Sequence, residues 1–461
     1  MSTHVLTHWD PENPEFWKEK GAAIAQRNLW ISIFALTLAF SIWVLWSVVT
    51  VNLNKVGFNF SKNQLFWLTA LPALSGATFR VFYSFMVPIF GGRRWTVIST
   101  LSLLIPALGM GFALRDPSTS YGTMLVLALL CGFGGGNFSS SMANISFFFP
   151  KLKKGTATGL NAGIGNLGVS LAQFLVPMVI SGAMLGGLTG DGLPYVKDGV
   201  EQHLWLQNAG FVWVPFILLS TLMAWFGMND IADAKASFRD QAIIFKRKHN
   251  WLMCWLYVGT FGSFIGFSAG LALLTQSQFP DVNPTQYAFL GPLVGALTRP
   301  VGGWISDRFG GGAHVTLYTF ILMVLAVIGV LFTLPSGDSA GSFPAFLTLF
   351  IVLFALTGIG NGSTFRMIPV IFLTARSLDA ENTPEAQRAA HVQGNKEASA
   401  VLGFSGAVGA YGGFFIPKSF GTSLELTGSV NGALYAFIAF YLSCVVVTWW
   451  FYARKGARTP C

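Results

Sequence analysis

Twelve long apolar runs, separated by short polar stretches, leave this chain few ways to fold. They cover about residues 29–53, 64–90, 95–114, 122–149, 156–183, 208–228, 251–275, 286–306, 315–334, 344–373, 397–417 and 432–453. A helix needs about 20 apolar residues to cross the hydrocarbon layer. Inside that layer each backbone donor and acceptor must be satisfied within the structure, which a helix does by itself. The sequence therefore predicts an all-α membrane protein with twelve transmembrane helices. Composition excludes the soluble alternatives: 53% of the 461 residues are hydrophobic and only 10% charged, against about 25% charged in a soluble domain. No nucleic-acid partner is expected, because the net charge of +9 is spread over loops rather than gathered in one domain. Cys131, Cys254 and Cys444 lie inside apolar runs and read as small core residues. With Cys461 they form neither a disulfide framework nor a thiolate metal site, so no metal and no cofactor is expected. The first 28 residues carry charges of both signs and no apolar core, unlike a cleavable signal peptide.

Lys and Arg set the sidedness. With the N-terminus placed in the cytoplasm, twenty of them fall on the cytoplasmic face. Five fall opposite: Lys55, Lys62, Arg115, Lys197 and Lys418. Both termini are then cytoplasmic. The polar stretch 229–250 divides the runs six and six. The expected organisation is a cytoplasmic N-terminal segment (1–28), a first six-helix bundle (29–228), a cytoplasmic linker (229–250), a second bundle (251–453) and a cytoplasmic tail (454–461). The other polar stretch, 374–396, reads as a loop carrying a surface helix.

The halves repeat. Gly76–Gly92 (GATFRVFYSFMVPIFGG) lines up with Gly295–Gly311 (GALTRPVGGWISDRFGG). Arg80 then falls on Arg299, and Gly91-Gly92 on Gly310-Gly311, at an offset of 219. Asn161–Gly168 (NAGIGNLG) lies on Ser405–Gly412 (SGAVGAYG). Gly-rich runs lead into Phe138 and Phe365 in the fourth and tenth runs. Two pseudo-symmetric six-helix bundles are the sequence mark of a secondary transporter, whose site is expected near the membrane midplane between the halves. Small residues let helices approach closely, so Gly163, Gly165, Gly168, Gly409 and Gly412 are expected to form packing seams.

Arg80, Arg299 and Arg366 are the only charged residues well inside the runs. All 19 Asp and Glu fall in loops, tails or at run ends, with Asp307 and Glu397 nearest; all six His lie outside. An intramembrane Arg is expensive and marks a functional site. The bland alternative is snorkelling to the headgroups. Arg80 and Arg299 argue against it, lying about ten residues, near 15 Å at helical rise, from their Gly-Gly turns. Arg366 is closer to an end. Guanidinium keeps its proton, and it grips flat oxyanions through paired hydrogen bonds. A small anion is therefore expected to complete the site. Proton-driven carriers usually place a titratable group in the path. None is visible in the runs, which favours exchange of one anion for another.

The stretch Gly303–Gly311 (GWISDRFGG) resembles the loop motif of the major facilitator superfamily, with Asp307 and Arg308 as its gate pair. The first-half counterpart lacks the Asp. More specifically, the chain resembles the bacterial nitrate/nitrite porters. The matching stretches are Arg80–Trp95 (RVFYSFMVPIFGGRRW), Asn137–Pro150 (NFSSSMANISFFFP), Gly159–Gly168 (GLNAGIGNLG), Thr260–Gly270 (TFGSFIGFSAG) and Gly409–Pro417 (GAYGGFFIP). The resemblance implies nitrate and nitrite as substrates, residence in the bacterial inner membrane, and no enzymatic activity. It implies that Arg80 and Arg299 bind substrate, with Asn166 as amide contact, Tyr257 as hydroxyl contact, and Phe138 and Phe365 as aromatic walls. Arg366, Ser363 and Asn161 are further candidates for substrate or gate contacts.

The expected cycle is alternating access, in which the two bundles rock about the bound anion and exchange nitrate for nitrite. Nitrate/proton symport and a passive anion channel are the competing readings. The chain is expected to act as a monomer in the bilayer.

Overall fold

Local sequence dictates where the apolar runs start and stop. Ser61 and Gln64 form a reciprocal cap: the Ser61 hydroxyl accepts from the Gln64 N–H at 3.2 Å, and the Gln64 side chain accepts from the Ser61 N–H at 2.8 Å. Thr383 caps the helix that Pro384 opens, where a missing N–H is harmless. Gly91 and Gly311 precede two other helices with φ of 88° and 93°, a region glycine enters without steric cost.

The computed structural model describes residues 4–197, 199–232, 242–308, 311–337 and 339–461. Gly310, residues 233–241 of the linker and residues 1–3 of the N-terminal segment lie outside the described residues. Eleven helical stretches among the described residues are long and apolar enough to cross a membrane. They are α1 (Pro14–Val56), α2 (Lys62–Tyr83), α3 (Gly92–Ala113), α4 (Tyr121–Phe148), α5 (Leu152–Ile180), α6 (Asn208–Gly227), α7 (Lys248–Gln278), α9 (Gly312–Thr333), α10 (Phe343–Asp379), α11 (Pro384–Thr427) and α12 (Asn431–Ala453). The twelfth expected span is α8 (Leu290–Arg308), of 19 residues. It is long enough to cross, and its Arg299, Asp307 and Arg308 make it less apolar than the others. The chain is a multi-pass membrane protein.

The 374–396 stretch differs from expectation. It is not a loop with a separate helix: α10 runs on to Asp379, and α11 begins at Pro384. Polar residues here extend two spans beyond their apolar sections, and only 380–383 connects them.

Two compact units make up the chain. The first comprises residues 1–236 and 268–292. Here α1 packs on α5 and α2 on α4. A Cβ on Gly168 of α5 would collide with the Thr37 carbonyl of α1, which explains the glycine. α1 is interrupted after Trp43, where Val44 leaves helical geometry. Segment 268–292 is tied in by polar contacts. Gln173 donates to the Ser268 carbonyl at 2.6 Å and to the Ser47 hydroxyl at 3.0 Å, and Ser170 to the Phe289 carbonyl at 2.9 Å. At the N-terminus, β1 (Val5–Leu6) pairs in parallel with β2 (Asp230–Ile231), the segment that follows α6. An antiparallel hairpin, β3 (Leu193–Lys197) with β4 (Val200–Leu204), lies between α5 and α6.

The second unit comprises residues 237–267 and 293–461. α9 packs on α10 and α12. α7 widens into one π-helical turn at Val258–Gly262. A Cβ on Gly412 of α11 would collide with Gly262 in that turn, so the two backbones touch.

The repeat is out of step by one residue at the glycine turn. Gly91 and Gly311 are the equivalent positions, each preceding the helix start, so the offset of 219 at the arginines becomes 220 here. The expected pairing of Gly91 with Gly310 is thereby corrected. Each helix start receives an acceptor from the segment that follows the sixth or the twelfth span. Asp230 Oδ1 accepts the Arg93 N–H at 2.8 Å, and the Cys461 carbonyl accepts the Ala313 N–H at 2.9 Å.

Candidate functional site

Arg80 sits on α2 and is 1% exposed. Its Nε donates to the Gly135 carbonyl at 2.9 Å. Three ring faces are turned to its guanidinium carbon: Phe138 at 4.6 Å, Trp43 at 5.1 Å and Phe40 at 6.0 Å. The glycines of α4 make this approach possible, because a Cβ on Gly135 would stand 2.6 Å from the Trp43 ring. The structure thus brings together the predicted Arg80 and Phe138 and adds Phe40 and Trp43, which the sequence reading missed. Their i, i+3 spacing on α1, which puts both on one helix face, was the available signal.

Asn166 on α5 is buried, and its Oδ1 has no hydrogen-bond partner among the described residues. Asn161, also on α5, donates to the Ser141 hydroxyl at 2.8 Å and so braces α5 on α4. Gly163 does not form the expected packing seam: a Cβ there would meet nothing within 4 Å. Its position on α5 faces open space, whereas Gly165 packs on the Leu36 side chain.

Arg299 sits on α8 and is 8% exposed. Its Nη2 donates to the Tyr257 hydroxyl at 3.3 Å, and its guanidinium carbon lies 5.4 Å from the Phe365 ring centre. Tyr257 stacks on Phe261 at 5.6 Å and lies 6.3 Å from Phe365. It is the residue just before the π-turn of α7. On its other side it presses on α11, where a Cβ on Gly409 would stand 2.7 Å from the Tyr257 ring. Arg299, Tyr257 and Phe365 therefore form one cluster. Arg299 Nη1 is buried and has no hydrogen-bond partner among the described residues. Among the described residues no carboxylate lies within 4.0 Å of Arg299. Buried guanidinium donors without acceptors are costly, and an anion is the group that would satisfy them.

Ser363 turns away from this cluster. Its hydroxyl shares a 2.7 Å hydrogen bond with Thr316 and donates to the Gly360 carbonyl, so it joins α10 to α9. Arg366 has the acidic mate that the sequence reading denied it: its Nε lies 2.7 Å from Asp307 Oδ1. The pair is half exposed, so Arg366 belongs with the gate motif. Asp307 correspondingly engages Arg366 of α10 rather than its neighbour Arg308, whose guanidinium lies 4.7 Å from the Trp304 ring.

Two carboxylates have partners that the sequence reading missed. Asp230 accepts the Arg93 N–H and lies 3.6 Å from Arg93 Nε, which supplies the acid that the first-half motif lacks. Its Oδ1 takes the space a Cβ on Gly91 would need. Glu397, at the start of the apolar section of α11, is 2% exposed. Arg376 grips it with two bonds of 3.1 and 2.7 Å, and Arg247 adds a third at 3.1 Å. Neither contact could be read from spacing along the chain. Among the described residues no group of three or more His, Cys, Asp or Glu could hold a metal ion.

Comparison with known proteins gives this geometry its context. The family model described as Major Facilitator Superfamily matches residues 29–417. The chain is 54% identical to "Nitrate/nitrite transporter NarU" of Salmonella typhimurium, over 99% of this chain and 97% of that one. It is 52% identical to the protein of the same name from Escherichia coli, over 98% and 97%. It is 43% identical to the "Probable nitrate/nitrite antiporter NarK2" of Thermus thermophilus, over 99% and 98%. Among solved structures it resembles a D-xylose-proton symporter (TM-score 0.63, 14% identity, 92% and 97% covered) and a bacterial homologue of the lysosomal transporter Spinster (TM-score 0.62, 15% identity, 91% and 95% covered).

Proposed function

The chain belongs to the nitrate/nitrite porters of the major facilitator superfamily, and from that premise we propose that it exchanges nitrate for nitrite by alternating access. It is a carrier and performs no chemistry on its cargo. It resides in the bacterial cytoplasmic membrane as a monomer, with both termini inside, as the bias of basic residues supports. Arg80 and Arg299 take the charge of the anion. Tyr257 and Asn166 supply polar contacts, and Phe138 and Phe365 supply aromatic walls.

The observation that carries this reading is Arg299: a buried guanidinium with one nitrogen on a phenol and, among the described residues, another without an acceptor and no carboxylate within 4.0 Å. Nitrate and nitrite are flat and singly charged, and present the oxygen edge that a guanidinium fork binds. Their aromatic neighbours remove competing water without competing for the N–H donors. The known-family relatives are named for both anions, and exchange needs no titratable group in the path.

The test is counterflow into proteoliposomes loaded with nitrite, with and without a proton gradient. Nitrate entry is expected to depend on internal nitrite and to ignore the gradient. Entry driven by the gradient into nitrite-free vesicles would establish symport instead.

A further inference from the structure

The two arginines are held in different ways. Arg299 lies over the Phe365 ring and has a hydroxyl partner. Arg80 has three rings, two of them from α1. Trp43 is the least expected of these. It is 2% exposed and is the last residue of α1 before the helix breaks at Val44. Its indole N–H donates to the Pro72 carbonyl of α2 at 2.7 Å. Gly76 of α2 and Gly135 of α4 flank the ring, and a Cβ on either would stand 2.6 Å from it. The ring also stacks on Phe40 at 5.4 Å, with 28° between planes. Trp43 is therefore fixed in rotation by its hydrogen bond and in position by two glycines.

The same Gly135 also supplies the carbonyl that receives Arg80 Nε. One glycine thus sets both the guanidinium and the ring that it meets. A guanidinium surrounded by ring faces is attracted to their π-electrons. Rings offer no hydrogen-bond acceptor, so they hold the guanidinium by its face and do not compete with an anion for its in-plane N–H donors. A fixed fork suits a planar anion, whose oxygen edge lies in that plane.

We propose that Trp43 is a positioning residue which, with Phe40 and Phe138, fixes the plane of the Arg80 guanidinium and thereby sets a preference for planar over tetrahedral monovalent oxyanions. This deepens the nitrate/nitrite reading and rests on it. Trp43 acts through Arg80 rather than on the anion.

The test compares wild type, Trp43→Phe and Trp43→Leu in nitrite-loaded proteoliposomes. Nitrate KM and maximal rate are measured, with perchlorate as a tetrahedral competitor of the same charge. In wild type, nitrate is expected to be preferred to perchlorate. Trp43→Leu removes the ring and the indole donor, and should raise nitrate KM about tenfold while narrowing the preference over perchlorate. Trp43→Phe keeps a ring face and should recover most of both. A role in packing alone would lower yield and melting temperature but leave the nitrate/perchlorate ratio at its wild-type value, and that unchanged ratio overturns the proposal. Should Trp43→Leu fail to fold, the ratio is read in Trp43→Met and Trp43→Gln, which also lack a ring face, with the same criterion. Absence of nitrate counterflow in wild type would overturn the functional reading and this inference with it; counterflow with an unaltered ratio in the variant that lacks the ring overturns this inference alone.

Discussion

Arg299 donates to the Tyr257 hydroxyl at 3.3 Å, and Tyr257 is the last residue before α7 widens into its π-turn. The hydrogen bond is long for its type. Gly409 and the Gly262–Gly412 contact place α11 against the same turn. A change in what Tyr257 holds is thus felt by a local irregularity of α7 and by its neighbour, which is where π-turns are often used.

Tyr257→Phe keeps the rings stacked on Phe261 and near Phe365 and deletes one hydroxyl. A neutral hydrogen bond contributes about 0.5–1.5 kcal/mol, so nitrate KM should rise roughly two- to tenfold with little change in maximal rate. Uptake kinetics in proteoliposomes decide this. An unchanged KM would remove the phenol from the binding contacts.

Lysine in place of either arginine keeps the charge and loses the planar fork. Hydrogen bonds to charged groups contribute about 1.5–3 kcal/mol. Arg80→Lys and Arg299→Lys should therefore each lower nitrate transport at least tenfold, while the proteins still insert and purify. Normal transport by either would show that charge alone suffices at that position.

Arg366 and Asp307 join α10 to α8 in a half-exposed pair. Such pairs add little to stability in water, so Asp307→Asn should shift the melting temperature only slightly. Its effect is expected on turnover, because the pair has to break and re-form if it serves as a gate. The reversed pair, Asp307→Arg with Arg366→Asp, should restore part of the rate; no restoration would argue that the two residues act separately.

Glu397 is a different case, being buried among Arg376, Arg247 and Gln393. Removing one partner of a buried ionic cluster costs about 3–5 kcal/mol. Glu397→Ala should therefore reduce yield and melting temperature strongly, even though it lies far along the sequence from Arg247. A variant as stable as wild type would mean that the cluster is well hydrated.

The glycines separate by what surrounds them. Gly168→Ala and Gly412→Ala meet backbone and should be destabilising, whereas Gly163→Ala meets nothing within 4 Å and should leave the melting temperature unchanged. If Gly163→Ala still slows transport at normal stability, its open side has a role in the cycle rather than in packing.

The spans, the repeat and the burial of Arg80 and Arg299 were legible in the sequence because each is written locally: a run of about 20 apolar residues, a charge within it, a matching motif; Tyr257 was named only through the resemblance. The partners were less so. Asp230 meets Arg93 across 137 residues and Glu397 meets Arg247 across 150, distances that carry no periodic signal. Trp43 and Phe40 looked like any apolar residues of a span, and only the Gly135 carbonyl beside them shows why they face a cation. Arg366 was misjudged as lacking a mate because Asp307 was assigned to its neighbour in sequence rather than to the next helix.

The glycine turns before α3 and α9 begin their helices alike although the count of residues leading to them differs by one. Duplicated halves can therefore gain or lose a residue in a connection without disturbing the membrane-embedded parts, provided that the left-handed backbone and an oxygen over the helix start are retained. Internal symmetry in such chains is better sought in conformation than in constant spacing, and a search that insists on one fixed interval will overlook repeats whose geometry is intact.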